Sequence, residues 1–268
     1  MAFQMKPNIY MFHRIKLEQE QYIPDIYYSR NMVHNIFNLY CFIDSLLKKG
    51  KQFGRIEQCM QSPQYFHLTF DDGYQEHLTL ARKLKEKYLM SKEHVTFSIN
   101  YGNSYAQEYT GMDVIYAALT NNNLNIIKSF LKIPESESDV KKIKKTLIQQ
   151  PPERLKKIPD MIPGFRKIAS DLFLVKEDIK KISELFNIAC HGMTHRDLRK
   201  YIDASEAEIL SAKNLLDHEL NQEIKIFTYP EGKNNIQLQK VCKRCGFQLG
   251  LSISHLSENS FCVGRKII

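Results

Sequence analysis

Two short segments hold groups that could carry out hydrolytic chemistry together. The first, His67-Leu-Thr-Phe-Asp71-Asp72-Gly73-Tyr74, reads as a strand that runs into two adjacent carboxylates and then a glycine able to turn the chain sharply. Neighbouring side chains of a strand point to opposite faces, so both acids reach one site only where the strand breaks into its loop. Taken alone, Asp-Gly is a common turn dipeptide. The second, Phe186-Asn-Ile-Ala-Cys-His191-Gly-Met-Thr-His195, again leads from a strand into a glycine-bearing loop, now with two imidazoles at i and i+4. Two neutral histidines and one carboxylate make a three-ligand set that leaves positions open for water and substrate on a divalent ion. A single loop histidine would carry little meaning. Two at ligand spacing, at the end of a strand as the acids are, point to metal-assisted hydrolysis.

Such segments need a scaffold that ends several strands on one side. Short apolar, β-prone runs end at Phe12, Phe70, Ile99, Cys190, Tyr229 and Ser254, and most precede a segment of helical period. This alternation makes either a doubly wound sheet or a barrel, and both place active residues at the carboxyl ends of strands. Val33, Ile36, Phe37, Tyr40, Ile43 and Leu47 recur at helical steps before a stop at Gly50. Ser205 and Glu208 have the pattern of a capping box before Ile209, Ala212, Leu215 and Leu216. Ile236, Leu238, Val241 and Cys245 precede a helix stop at Gly246. Between 101 and 180 the rhythm gives way to charged, helical sequence marked by Pro134, Pro151, Pro152, Pro159 and Pro163, which reads as an insertion or lid over one face. A chain of 268 residues can bury one full-sized core, so 1–268 is expected to form a single domain around that insertion.

Composition narrows the function classes. With 43% hydrophobic and 25% charged residues the chain is neither disordered nor fibrous. The opening residues lack a basic segment followed by an apolar run, and no run of about 18 apolar residues could span a membrane, so the expectation is a cytoplasmic protein without a transmembrane segment. Six scattered cysteines then read as reduced thiols, and the Cys242/Cys245 spacing has no second pair to complete a zinc knuckle. The net charge of +8, concentrated in stretches such as Lys141 to Lys145, is either a solvated helix face or an attraction for nucleotide-linked, phosphorylated or lipid-linked substrates. No nucleic-acid motif accompanies it, so nucleic acid is not an expected partner.

Together these segments resemble the polysaccharide deacetylases of the NodB-homology type, carbohydrate esterase family 4. Thr69-Phe-Asp-Asp-Gly73 matches the family's first motif and His191-x-x-x-His195 its second, with flanking patterns matching over roughly 7–101 and 172–268. The resemblance implies an α/β fold, an irregular (β/α) barrel of about seven parallel strands with helices outside. It implies Asp71 as the catalytic base and Asp72, His191 and His195 as ligands of one divalent metal, zinc foremost, with nickel, cobalt and iron also suited. Phe227-Thr-Tyr229-Pro230-Glu231-Gly232 looks like the third motif, making Tyr229, Pro230 and Glu231 the oxyanion and substrate-binding stretch, with the Glu231 N–H as donor. The family usually has Tyr where Glu231 stands, and an upstream Arg that orients the base; neither is present. The family's Leu-x-x-His near the carboxyl end is also missing, but Ile9-Tyr-Met-Phe-His13-Arg14 resembles the opening of the circularly permuted branch, which makes His13 the general acid. Arg265, in Val263-Gly-Arg-Lys-Ile267, is a candidate to replace the missing arginine. The implied reaction removes an N-acetyl group from an amino sugar, in a glycan or its nucleotide- or lipid-linked precursor, for surface polysaccharide synthesis. A hydrolase of a non-sugar amide or formyl group, and a catalytically idle glycan-binding relative, stay open as alternatives.

Overall fold

The computed structural model describes residues 7–18, 21, 23–104, 112–120, 122–253 and 259–268. In the first part of the chain β1 (Ile9–Phe12), β2 (Arg14–Lys16), β3 (Val33–Asn35), β4 (Gln52–Phe53), β5 (Tyr65–Phe70) and β6 (Val95–Ile99) are interleaved with α1 (Asp25–Tyr28), α2 (Ile36–Lys48), α3 (Ile56–Gln61) and α4 (His77–Tyr88). A helical stretch follows: α5 (Tyr101–Ser104), α6 (Met112–Thr120), α7 (Leu124–Leu131), α8 (Val140–Leu147), α9 (Pro152–Leu155), α10 (Ile158–Met161), α11 (Phe165–Ser170) and α12 (Lys176–Leu185). Alternation then resumes with β7 (Asn187–Cys190), α13 (Ile202–Leu220), β8 (Ile226–Thr228), α14 (Ile236–Arg244), β9 (Leu249–Ser252), β10 (Val263–Gly264) and β11 (Lys266–Ile267). No helix among the described residues is long and apolar enough to cross a membrane.

The main sheet runs β10-β9-β8-β7-β6-β5-β1-β11, with parallel pairings throughout. Its two edges belong to one segment. Val263 pairs with Leu251 of β9, whereas Lys266, three residues on, pairs with Tyr10 of β1. The final segment therefore holds both edges and the sheet curls into an irregular parallel barrel, as the sequence led us to expect. With β10 and β11 counted as one stave broken at Arg265, the barrel has seven.

Alternation along β5 separates two environments. Phe66, Leu68 and Phe70 face the helix layer, joining one core with Leu39 and Ile43 of α2 and Leu80 and Leu84 of α4. His67 and Thr69 face the barrel interior, where the His67 ring bonds the Thr96 hydroxyl and the Gly54 carbonyl, each at 2.9 Å. Across the barrel Ser98 and Thr228 pair their hydroxyls at 2.9 Å. Each such buried polar group would cost about 1–3 kcal/mol if left unpaired, so the polar interior holds together only as matched pairs. Ile9, Ile226, Leu249, Leu251 and Val263, with Ile56 and Cys59 of α3, make a separate apolar cluster.

Several local expectations hold and others shift. Helix α2 is followed by Gly50 at φ 77° and α14 by Gly246 at φ 88°, the left-handed conformation that a glycine stop supplies. The runs expected to end at Tyr229 and Ser254 end as strands at Thr228 and Ser252, and Ser254 lies outside the described residues. Helix α13 starts at Ile202, so Ser205 and Glu208 lie inside it rather than at its cap. Cys242 and Cys245 are buried free thiols. Helices α6 to α11 build their own apolar cluster, which includes Ile115, Ile127, Ile143, Leu155 and Phe165 and takes in Tyr27 and Tyr74 from the barrel side.

Phe70 stacks between Phe12, at 5.4 Å, and Phe97, at 5.1 Å, directly before the acidic pair. Phe70→Ala is expected to lower unfolding free energy by about 3–5 kcal/mol in urea titrations. A loss below about 1 kcal/mol would mean that this layer repacks freely.

Candidate active site

Three strand ends deliver the site, and each breaks in the same way. After β5 the Asp71 N–H still bonds the Phe12 carbonyl, then Asp72 and Gly73 turn left-handed at φ 74° and 69°. After β7 the His191 N–H bonds the Ile99 carbonyl, with Gly192 at φ 79° and His195 at φ 51°. After β8, Glu231 and Gly232 stand at φ 55° and 64°. Holding a non-glycine residue left-handed costs about 1–2 kcal/mol. That Asp72, His195 and Glu231 all do so at neighbouring strand ends marks a place where side-chain direction outweighs backbone comfort.

Asp72 Oδ1 lies 3.3 Å from His191 Nε2 and 3.2 Å from His195 Nε2. One ligand atom from each of the three residues falls within 4.8 Å of the others, and all three residues are buried. The His191 Nδ1 faces the Thr228 carbonyl at 2.8 Å. A carbonyl only accepts, so Nδ1 carries the proton and Nε2 keeps its lone pair. Burial would raise the Asp72 pKa, but the two histidines pull it well below the ordinary value. A carboxylate and two imidazole nitrogens gathered at this spacing fit a divalent cation.

A surrounding layer fixes these groups. The Tyr74 hydroxyl donates to Asp72 Oδ2 at 3.0 Å, which ties back one oxygen and leaves the other beside the histidines. The Tyr74 ring stacks on Phe173 and takes the Arg14 guanidinium at 4.7 Å over its face. Arg14 in turn forks onto Glu76 with both contacts at 2.9 Å. Glu208 reaches from α13 into the histidine loop, accepting from the N–H groups of Met193 and Thr194, the Thr194 hydroxyl and Arg196 Nε.

Asp71 has a different partner. Arg265 grips it with two bonds of 2.8 Å while also bonding Thr69 Oγ1 at 3.1 Å and the Ser252 carbonyl at 3.3 Å. Burial pushes the Asp71 pKa up, but the charge and hydrogen bonds of Arg265 outweigh it and hold the carboxyl at about 2.

These groups line a cavity of about 310 Å³, which His13, Glu231 and Gly232 also border. His13 is half-buried, and burial lowers its pKa. The structure thus gathers Asp71, Asp72, His13, His191, His195 and Glu231 around one cavity, with Arg265 behind Asp71. Tyr229 does not join them. It is fully buried, its hydroxyl donates to the Phe261 carbonyl at 2.9 Å, and its ring packs on Phe227. Pro230 is likewise buried, and neither borders the cavity. A larger cavity of about 470 Å³ opens near Asn187, Lys225 and Gln248, away from the Asp72–His191–His195 cluster.

Sequence reasoning missed several cavity groups. Arg30 precedes β3 and Asp113 lies on α6, neither with a motif, and Lys144 on α8 was singled out only as part of the basic stretch Lys141 to Lys145. Asp113 accepts from Asn103 Nδ2 at 2.8 Å; burial, then the nearby Asp72 charge, raises its pKa to about 8. Lys144 pairs with Glu231, which Lys233 also holds at 2.8 Å. Tyr74 stood within the first motif without a role, and Glu208 carried only a helix-cap signal.

A parallel barrel closed by its last segment, with acids and histidines at the strand ends, is the (β/α) barrel of NodB-homology deacetylases. The family model for polysaccharide deacetylase matches residues 60–250, and the chain belongs to that family. His13 and Arg265 lie outside the matched span. A search of curated proteins gives no match. Among solved structures the chain is similar to the Streptococcus pyogenes deacetylase PplD in complex with acetate, with a TM-score of 0.63 and 16% identity over 99% of this chain and 93% of that one. It is also similar to IcaB from Ammonifex degensii, with a TM-score of 0.60 and 11% identity over 98% and 92% of the two chains. The BpsB deacetylase domain from Bordetella bronchiseptica gives a TM-score of 0.54 and 13% identity over 97% and 95%. At these identities the likeness concerns the fold.

Arg265→Met leaves Asp71 as a buried charge without its partner and is expected to cost about 3–5 kcal/mol in chemical denaturation, with part of the loss recovered in an Asp71→Leu, Arg265→Met double variant. Because the folded pKa of Asp71 is depressed, the pair contributes fully above an unfolded value of about 3.9. That contribution fades as pH falls toward about 2. The stability gap between wild type and Asp71→Asn should narrow over that window; a gap that stays constant would mean another group carries the effect.

Proposed function

We propose that this chain is a metal-dependent hydrolase that removes the N-acetyl group from an amino sugar, in a glycan or in its nucleotide- or lipid-linked precursor. The observation that carries this reading is the Asp72–His191–His195 cluster standing beside the Asp71–Arg265 pair in one cavity. Asp72 and the two Nε2 atoms would hold the ion, zinc foremost, with nickel, cobalt and iron suited to the same donors. Bound there, a divalent ion supplies Lewis acidity, polarising the amide carbonyl and making water a stronger acid near neutral pH.

The chain's own groups supply the rest. Asp71, ionised and locked by Arg265, accepts the proton of the attacking water as its oxygen bonds to the carbonyl carbon. The Glu231 N–H has no acceptor among the described residues and is available to the developing oxyanion. Since this donor belongs to the backbone, the replacement of the family's usual tyrosine by Glu231 leaves it intact. His13, in its protonated form, gives a proton to the departing nitrogen as the carbon–nitrogen bond breaks, releasing acetate and a free amino sugar. The structure of PplD is a complex with acetate, the product this reading expects.

Purified protein should carry about one metal ion per chain and release acetate from N-acetylhexosamine substrates, with both lost in Asp72→Ala and His191→Ala. Asp71→Asn should keep its metal and lose about 10²–10⁴-fold in kcat. Elemental analysis and acetate assays on the same samples decide it. Protein that takes up no zinc, nickel or cobalt would sink the metal reading, and metal with turnover only of formyl or non-sugar amides would move the activity to another hydrolase class.

A further inference from the structure

The reaction just described leaves the basic side chains around the cavity without a task. Arg30 and Lys144 border the active-site cavity and also a second one of about 210 Å³, which Lys141, Ser29 and Ser138 line as well. These two residues thus stand where the two spaces adjoin.

A count of charges shows which groups remain unanswered. In the active-site cavity Asp71 is neutralised by Arg265, Asp72 belongs to the metal-type cluster, and the single charge of Glu231 is shared by Lys144 and Lys233, which leaves one positive charge over. Asp113 is buried and accepts from Asn103 Nδ2 at 2.8 Å, and burial and the Asp72 charge raise its pKa. In the second cavity Asp139 caps α8, accepting the Lys141 N–H at 2.8 Å, and keeps its negative charge, which offsets one of the cations there. Arg30 has no carboxylate partner among the described residues. Its Nη1 donates to the Tyr116 hydroxyl at 2.6 Å, which orients the guanidinium without neutralising it. Burial and then the nearby charge of Arg30 lower the Lys144 pKa to about 7, so in the empty protein Lys144 is only partly protonated beside the fixed charge of Arg30, and a bound anion would favour its charged form. Like charges kept together in a partly buried place destabilise the empty protein, and an anion that bonds both relieves this. The flat fork of Arg30 and the point charges of two lysines match a tetrahedral group with more than one oxygen and more than one charge.

We infer that the substrate carries a phosphate ester next to its N-acetylated sugar, and that Arg30, Lys141 and Lys144 form the subsite that receives it. The inference rests on the deacetylase reading above and narrows its substrate class. The insertion then has a chemical task, since α8 brings two of the three cations to the barrel.

The test compares kcat/KM for UDP-N-acetylglucosamine, a diphospholipid-linked N-acetylglucosamine and a neutral N-acetylglucosamine oligomer, in wild type, Arg30→Gln and Lys141→Gln. The phosphate-bearing substrates should be preferred by about tenfold or more, and the preference should collapse toward one in Arg30→Gln through KM rather than kcat. Which of the two is better tells the nucleotide source from the lipid source. Lys141 is exposed, so its variant reports on the subsite even if Arg30→Gln folds poorly. Calorimetric binding of N-acetylglucosamine 1-phosphate against N-acetylglucosamine, in wild type and Lys141→Gln, decides the subsite without turnover. Tighter phosphate binding that weakens in the variant, with no acetate released from any substrate, would keep the subsite and reject the deacetylase reading. A neutral oligomer used as well as the phosphate esters, or a preference untouched by both variants, would overturn the subsite itself.

Discussion

Arg265 carries the constraint on which the rest of the molecule depends. It occupies the single residue at which the final segment leaves β9 and joins β1, so its backbone closes the barrel while its side chain neutralises Asp71 inside it. A buried ion pair is stabilising only when geometry and further hydrogen bonds offset desolvation. Here Thr69 and the Ser252 carbonyl take further guanidinium hydrogens. Fold closure and the setting of the proposed base are therefore one event.

The histidine side of the site is fixed by a different device. Asp72 and His195 sit on left-handed backbone, which would relax if the loops were free. Tyr74 and Glu208 prevent that, one by tying a carboxylate oxygen and the other by accepting several donors of the histidine loop. Both are held by arginines, Arg14 over the Tyr74 ring and Arg196 on Glu208. A cluster built this way is preorganised, and its direction is set by residues behind and beside it.

Much of this was legible in the sequence because its parts are contiguous. Strand ends at Phe70 and Cys190 could be read from apolar runs, and the acids and histidines follow directly. His13 and Arg265 were harder, yet each lies at or within a short strand whose neighbours are apolar. The rest depends on contacts that local pattern does not encode. Ser205 and Glu208 fit a capping box, but α13 starts earlier in the chain, at Ile202 after Tyr201, and Glu208 is drawn instead to the donors of a loop. Tyr229 shared the third motif with Glu231, and only the packing shows that its hydroxyl serves the Phe261 carbonyl. Asp113 sits on a helix where a charged residue reads as surface, Lys144 belonged to a basic stretch with two open readings, and their place at the cavity arises from how the helices between β6 and β7 fold back on the barrel.

The distance in sequence between Asp71 and Arg265 also governs the order of events during synthesis. The two residues are 194 positions apart. At a ribosomal pace of about 5–20 residues per second, Asp71 emerges roughly 10–40 s before its counter-charge exists. Over that interval the nascent chain can pair β1, β5 and β6, but a barrel lacking its closing stave exposes the free edges of β1 and β9 and a carboxylate that resists burial. Completion of the barrel is thus postponed until the stretch around Arg265 has been translated, and a nascent chain stalled before it would hold an open sheet that invites chaperones or aggregation rather than a partly working enzyme.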